Sequence, residues 1–104
     1  MNDDPEMLFS IGEFSRVTGL TIKALRFYHE EGLLPPAQID MNTGYRYYRA
    51  RQVEVARAVT LLRRLEFPVK EIRDILARQG DAEHVAQALE RQKQALEEKI
   101  KSQK

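Results

Sequence analysis

Between Ser10 and Val17 the apolar residues fall at Ile11, Phe14 and Val17, the spacing of one face of a short helix. Ser10 and Glu13 stand three apart at its start. A hydroxyl and a carboxylate so placed satisfy each other's free backbone N–H groups in a capping box, and the N-cap alone contributes about 1 kcal/mol. Gly19 suits the left-handed residue of a turn. Thr21 then caps a second helix predicted over Ile22–Glu31, which Gly32 ends. Leu33-Leu34 read as a docking tail, and Pro35-Pro36 forbids more helix. Gln38–Asp40 and Tyr45–Tyr48 pair as short strands around Met41-Asn42-Thr43-Gly44, where Asn and Gly supply the positive φ of a hairpin tip. A third helix is predicted over Ala50–Arg64, with Val53, Ala56, Val59 or Thr60, and Leu62 or Leu65 facing in. Glu66-Phe67-Pro68 breaks it. Pro68, in the first turn, starts a fourth helix over Val69–Arg78, whose stripe is Val69, Ile72, Ile75 and Leu76. Gly80 stops that one.

The remainder, Asp81 to Lys104, holds no Gly or Pro and reads as one helix about 36 Å long. Ala82, Val85, Leu89, Gln92, Leu96 and Lys99 alternate by three and four along it, which is heptad spacing. Gln92 and Lys99 interrupt the seam, and Ile100 substitutes at its end. Such a stripe either covers the helix's own domain or pairs with a second copy.

The predicted fold is therefore mainly α: a winged helix-turn-helix with a small β-hairpin wing, then a long C-terminal coiled-coil helix. The expected organisation is a disordered acidic tail over 1–8, a DNA-binding domain over 9–79 and a dimerisation helix over 81–104. A helix-turn-helix followed by a basic, aromatic hairpin suits duplex DNA, with a helix for the major groove and a wing for the phosphates.

Composition narrows the chemistry. The chain has 104 residues and no cysteine, which removes disulfides, thiolate metal sites and iron–sulfur clusters. No apolar run approaches the roughly 20 residues of a membrane helix, and the acidic N-terminus is not a signal peptide, so a cytoplasmic protein without membrane contact is expected. Net charge is only +1, but residues 1–9 carry three acids and no base, leaving the remaining chain near +4. That is mild support for a polyanionic partner. His29 and His84 are isolated from other ligands at metal spacing. With no phosphate loop, nucleophile motif or carboxylate pair, neither an enzyme nor a cofactor is expected.

Lys23 and Arg26 share a face of the second helix, Thr21 offers a hydroxyl at its N-cap, and each can reach phosphate. Phe27 and Tyr28, being adjacent, point in different directions: one packs inward and the other meets DNA. Strand alternation puts Arg46 and Tyr48 on one face of the hairpin and Tyr45 and Tyr47 on the other. At least one tyrosine is expected to pin the hairpin to the helices. Arg49 and Lys70 are weaker candidates, and Arg63 and Arg64 are either a second basic edge or plain surface.

Read in order, Ile11-Gly12-Glu13, Thr21-Ile22-Lys23-Ala24-Leu25-Arg26-Phe27-Tyr28, Gly32-Leu33-Leu34-Pro35 and Gly44-Tyr45-Arg46-Tyr47-Tyr48 resemble the MerR family of bacterial transcription regulators. Leu62 to Ile72 resembles that family's junction of third and fourth helices, so the likeness spans about Phe9 to Leu76. Glu66 departs from it, standing where the family very often has glycine. The resemblance implies a DNA face drawn from Thr21, Lys23, Ala24, Arg26, Phe27, Tyr28, Arg46, Tyr47, Tyr48, Arg49 and Lys70, with Arg46 on the backbone. It further implies a homodimer through Val85, Leu89, Gln92, Leu96 and Ile100, its long helices antiparallel. The implied target is a pseudo-palindromic operator in promoter DNA, bent and untwisted for RNA polymerase. Two other readings fit parts of the pattern. A small winged-helix excision or architectural factor would also bind DNA, and a promoter footprint separates it. A protein-interaction adaptor would need no basic face, and Lys23, Arg26 and Arg46 speak against it.

Overall fold

The computed structural model describes residues 4–78 and 82–102, which form two compact units, one running to Thr60 and one from Leu61. The division falls within the third helix. Gly80, where the sequence places a boundary, lies outside the described residues.

The first unit contains β1 (Leu8–Ser10), α1 (Ile11–Thr18), α2 (Ile22–Glu30), β2 (Gln38–Ile39), β3 (Arg46–Arg49) and the start of α3 (Gln52–Arg64). The strands form an antiparallel sheet in the order β1-β3-β2. Phe9 lies opposite Tyr48, and Gln38 opposite Tyr47. β1 is not visible in the sequence pattern. Three residues running straight into a helix cap give no period, and their ladder partner lies some forty residues away.

A disordered tail over 1–8 is corrected for its described part. Leu8 belongs to β1, the Ala50 and Arg51 amides donate to the Met7 and Pro5 carbonyls at 2.8 and 2.9 Å, and Glu6 forms ion pairs treated below.

The helix signals act as their chemistry requires. Ser10 Oγ accepts from the Glu13 amide at 3.1 Å while Glu13 Oε1 accepts from the Ser10 amide at 2.9 Å. Hydrogen bonds to the carboxylate, from the Ser10 backbone first and its side chain second, hold Glu13 below the usual glutamate range. Gly19 takes φ 78° and returns its N–H to the Ser15 carbonyl at 2.9 Å, which makes the tight turn into α2. Thr21 Oγ1 accepts from the Ala24 amide at 3.0 Å. After α2 the amides of Leu33 and Leu34 both donate to the Tyr28 carbonyl, seating two buried leucines under the helix.

The core of this unit is Phe14, Leu25, Leu34, Tyr48 and Ala56, flanked by Phe9, Ile11, Leu20, Tyr28, Val53 and Val55. Phe14 and Tyr48 stack face to face, with centroids 4.4 Å apart and planes 8° from parallel. Val17, expected to face in, is 51% exposed. At the helical rotation of about 100° per residue it lies roughly 60° beyond Phe14, on the side away from Ile11. The inward position between them goes to Thr18, whose hydroxyl donates to the Phe14 carbonyl at 2.8 Å.

The second unit holds the end of α3, then α4 (Val69–Ala77) and α5 (Ala82–Ser102). Leu62, Phe67, Ile72, Ile75 and Ala88 are buried in it. Pro68 serves as the N-cap of α4, one place ahead of the expected first turn. Glu66 has φ 63°, the one non-glycine residue of positive φ among those described. Two polar positions of α5 are tied to this turn. Gln92 Nε2 donates to the Leu65 carbonyl, and Lys99 Nζ lies 3.0 Å from Glu66 Oε1. Residues that interrupt the apolar seam therefore also fasten α5 to the α3–α4 junction. Arg63, open between two roles in the sequence, donates to the Phe67 carbonyl at 3.1 Å.

The left-handed backbone at Glu66 costs about 1 kcal/mol or more for a residue with a Cβ. The exposed pair with Lys99 returns a few tenths of a kcal/mol. Glu66→Gly is expected to raise stability by about 0.5–1 kcal/mol, seen as a small upward shift in a thermal melt. A clear drop would mean that the ion pair outweighs the backbone strain.

Candidate nucleic-acid interface

Lys23, Arg26, Phe27 and Glu30 follow one another by three, one and three residues, which confines them to an arc of about 100° on α2. Leu25 and Tyr28 point the other way, into the core. The four outward side chains line an open groove of about 520 Å³. Phe27 is 42% exposed, and its ring is tilted against that of Tyr28 at 5.7 Å. The adjacent aromatic pair is thus resolved: Tyr28 packs inward and Phe27 faces out. Ala24 sits at the half-buried edge of this face, and Thr21, exposed, spends one lone pair on capping the helix. What α2 presents is two cations, one flat apolar ring and one carboxylate on a helix braced from behind by the core.

The hairpin supplies a second surface. Its tip is held by Asp40, whose Oδ1 accepts from the amides of Asn42 and Thr43 at 2.8 and 3.1 Å, while Gly44 at φ 75° donates to the Asp40 carbonyl. Those two amides hold the Asp40 carboxyl below the usual aspartate range. The tip therefore keeps its charged cap down to acid pH. Tyr45 is 66% exposed; Tyr47 and Arg46 are half-buried. Arg46 Nε is buried with no hydrogen-bond partner among the described residues. A narrow groove of about 210 Å³ runs past Ser10, Ile11, Tyr45, Arg46 and Tyr47.

Tyr48 is corrected. It is fully buried against Phe14, and a ring with no surface cannot touch DNA. It is the tyrosine that pins the wing. Burial pushes its phenol above the ordinary range, opposed by the weaker pull of the Arg46 guanidinium. Arg49 is present at the end of β3 but engaged: Nε lies 3.3 Å from Glu6 Oε2, and NH1 donates to the Glu6 carbonyl at 3.0 Å. Lys70 is exposed on α4, in the second unit. Tyr45 and Glu30 line these surfaces without having been named as DNA contacts from sequence. For Glu30 the signal was available, since it follows Phe27 by three on the same helix.

In the second unit, Leu65, Leu89, Leu96 and Ile100 form the apolar part of a groove of about 350 Å³ along α5, edged by Gln92, Lys93 and Glu97. Leu89 and Ile100 are 38% and 59% exposed. Val85 belongs to α5, but its side chain lies outside the described residues. Among the described residues no helix is long and apolar enough to cross a membrane, and no three His, Asp or Glu gather as a metal cluster would need.

An outward basic helix on a capped tight turn, next to a braced hairpin, defines a winged helix-turn-helix protein. The chain belongs to the MerR HTH family of regulatory proteins, whose model matches residues 9–79. It is 35% identical over 96 residues to the transcriptional regulator BrlR of Pseudomonas aeruginosa, an alignment covering 89% of this chain and 35% of BrlR. Among solved structures it resembles a MerR-family transcriptional regulator from Bacillus cereus, with TM-score 0.78 and 26% identity, covering 92% of this chain and 72% of that one. It also resembles EcmrR in the cryo-EM structure of an EcmrR–DNA complex in EcmrR-RPo, with TM-score 0.76 and 33% identity, covering 91% of this chain and 34% of that one. The chain thus spans about a third of the length of BrlR and of EcmrR.

Proposed function

We propose that this chain binds duplex DNA sequence-specifically as one half of a twofold dimer and regulates transcription by distorting promoter DNA. The observation that carries this is the outward face of α2, where Lys23, Arg26 and Phe27 stand together on a helix fixed from behind by Leu25 and Tyr28. Such a helix enters the major groove with its cations and ring toward the duplex, while the wing follows the backbone. Residues 9–79 serve as the DNA-binding body and residues 81–104, which carry α5, as the dimerising element. The Leu89–Leu96–Ile100 groove supports that role, because a second α5 would cover it. A twofold protein fits a pseudo-palindromic operator. RNA polymerase is the partner suggested by family membership and by the EcmrR assembly. The work on the promoter is deformation, which stores specificity at base pairs the protein never touches. In a bacterium that DNA places the protein in the cytoplasm.

In-vitro selection from a random duplex pool, followed by fluorescence anisotropy on the recovered operator, tests the reading. Affinity is expected to fall by orders of magnitude from low to moderate salt as phosphate contacts release counterions. Arg26→Ala and Arg46→Ala are each expected to weaken binding about 10- to 100-fold, the loss of a charge-assisted bond of about 1.5–3 kcal/mol, with unchanged circular dichroism. A selection that recovers no preferred sequence, or affinity flat with salt, would overturn the proposal. Two variants that bind like the parent would relocate the DNA face.

A further inference from the structure

Glu6 lies outside the helix-turn-helix, yet it holds two of the cations that flank the wing. Its Oε2 lies 3.3 Å from Arg49 Nε and its Oε1 3.3 Å from Arg51 NH1, while its backbone carbonyl accepts from Arg49 NH1 at 3.0 Å. The segment that carries it is anchored on both sides. The Ala50 amide donates to Met7 and the Arg51 amide to Pro5, and Leu8 pairs with Arg49 in the sheet. The backbone on both sides of Glu6 is therefore held, which keeps its carboxylate within reach of the two guanidinium groups. Arg49 is also fixed at its own backbone, since its amide donates to Gln52 Oε1 at 2.7 Å.

A carboxylate oxygen pair bridging two guanidinium groups presents the same chemistry as two oxygens of a phosphate. Arg49 follows Arg46, Tyr47 and Tyr48 directly in β3, and Arg51 comes two residues later, so both stand at the foot of the wing. Left alone, such a pair would add to the polyanion-binding charge of the hairpin. Here one anion of the protein occupies it. Glu6 is half-exposed, at 49%, and Arg51 more so, at 63%. The bridge is thus open to water on its Arg51 side, while the Arg49 side chain is only 24% exposed. An incoming phosphate competes first for Arg51, where an exposed pair is weak enough to be displaced.

We propose that Glu6 is an internal phosphate mimic that sets the DNA affinity of the wing by occupying Arg49 and Arg51. This rests on the DNA-binding reading above and adds a regulatory residue to the same interface. The bridge lowers non-specific affinity, because a duplex must displace the carboxylate before it gains the two cations. The consequence is selective. Sites that bring a phosphate close to the wing foot recover the arginines, while loosely bound DNA does not.

The test uses the full chain and a mixed-sequence duplex of a little over two helical turns, titrated by anisotropy across a range of KCl. Glu6→Gln keeps the shape and removes the charge. It is expected to bind this duplex roughly tenfold more tightly at low salt. The plot of log affinity against log salt should steepen by about 1–2, since each freed arginine that meets a phosphate adds about 0.9. Adding Arg49→Gln and Arg51→Gln to Glu6→Gln should return the slope to the parent value. Glu83→Gln removes the same unit of charge at an exposed position of α5, in the second unit, and should leave the slope unchanged. A steeper slope in Glu6→Gln alone supports the mimic. An unchanged slope with unchanged affinity, weaker binding by Glu6→Gln, or the same gain in Glu83→Gln would overturn it while leaving the DNA-binding reading standing. If the unsubstituted protein binds no duplex at low salt, that reading fails and this proposal with it.

Discussion

Phe14→Ala is expected to unfold the first unit or leave it barely stable. Phe14 is fully buried, stacked on Tyr48 at 4.4 Å and tilted against Phe9 at 6.5 Å. Removing the ring takes away its transfer energy and leaves a cavity that α1 and β3 cannot collapse without losing the hairpin's seat. Phenylalanine-to-alanine changes in cores cost about 3–5 kcal/mol, and the lost stacking adds up to about 1 kcal/mol. A small domain holds only about 5–15 kcal/mol in total. The melting temperature should drop by at least about 12 °C, and DNA binding should fall with it. Val17→Ala is the matched control, three residues on but exposed, and should melt close to the parent. Thermal melts by circular dichroism read both. A Phe14→Ala protein that melts within a degree or two of the parent would show that Phe14 does not hold the wing to the helices.

The elements that sequence reading found are those whose signals are local. Ser10 with Glu13, Gly19, Thr21 and Gly44 each act on neighbours within a few residues, and the structure uses each as its chemistry requires. What the sequence hid is long-range. β1 has no period of its own and exists because Phe9 meets Tyr48 across the chain. The resemblance put Tyr48 on the DNA face, and strand alternation, which gives faces, does not say which one the helices cover. Val17 looked inward because two apolar residues three apart invite a third, although the helical rotation carries it past the core. The engagement of Arg49 by Glu6 spans 43 residues and could not be read from spacing. Even Gln92 and Lys99, legible as breaks in a heptad seam, have a second role at Leu65 and Glu66 that only the folded turn reveals. The α2 face was legible because a helix fixes the angular relation of Lys23, Arg26 and Phe27 once its ends are known.

Leu89→Asp is expected to convert a dimer to monomer and to cost most of the operator affinity while leaving the fold intact. Leu89 is 38% exposed and lines the α5 groove with Leu65, Leu96 and Ile100. In the proposed dimer that groove is covered, so an aspartate there loses its water without gaining a partner. In the single chain the same aspartate stays partly hydrated, which is why the buried core at Ile72, Ile75 and Ala88 should survive. Gln92 and Lys99 are held at the α3–α4 turn, so the apolar seam is short and the parent dimer should dissociate with dilution. Two joined recognition helices engage the second half-site at an effective concentration set by the dimer. Losing that linkage reduces affinity by about 10²–10⁴-fold without removing any DNA contact. Sedimentation velocity gives the oligomeric state, and anisotropy on the full operator and on a single half-site gives the coupling. The half-site affinity of Leu89→Asp should equal that of the parent monomer. A variant that stays dimeric would place the seam elsewhere on α5. A monomer that binds the full operator as tightly as the parent would break the proposed link between helix pairing and DNA recognition.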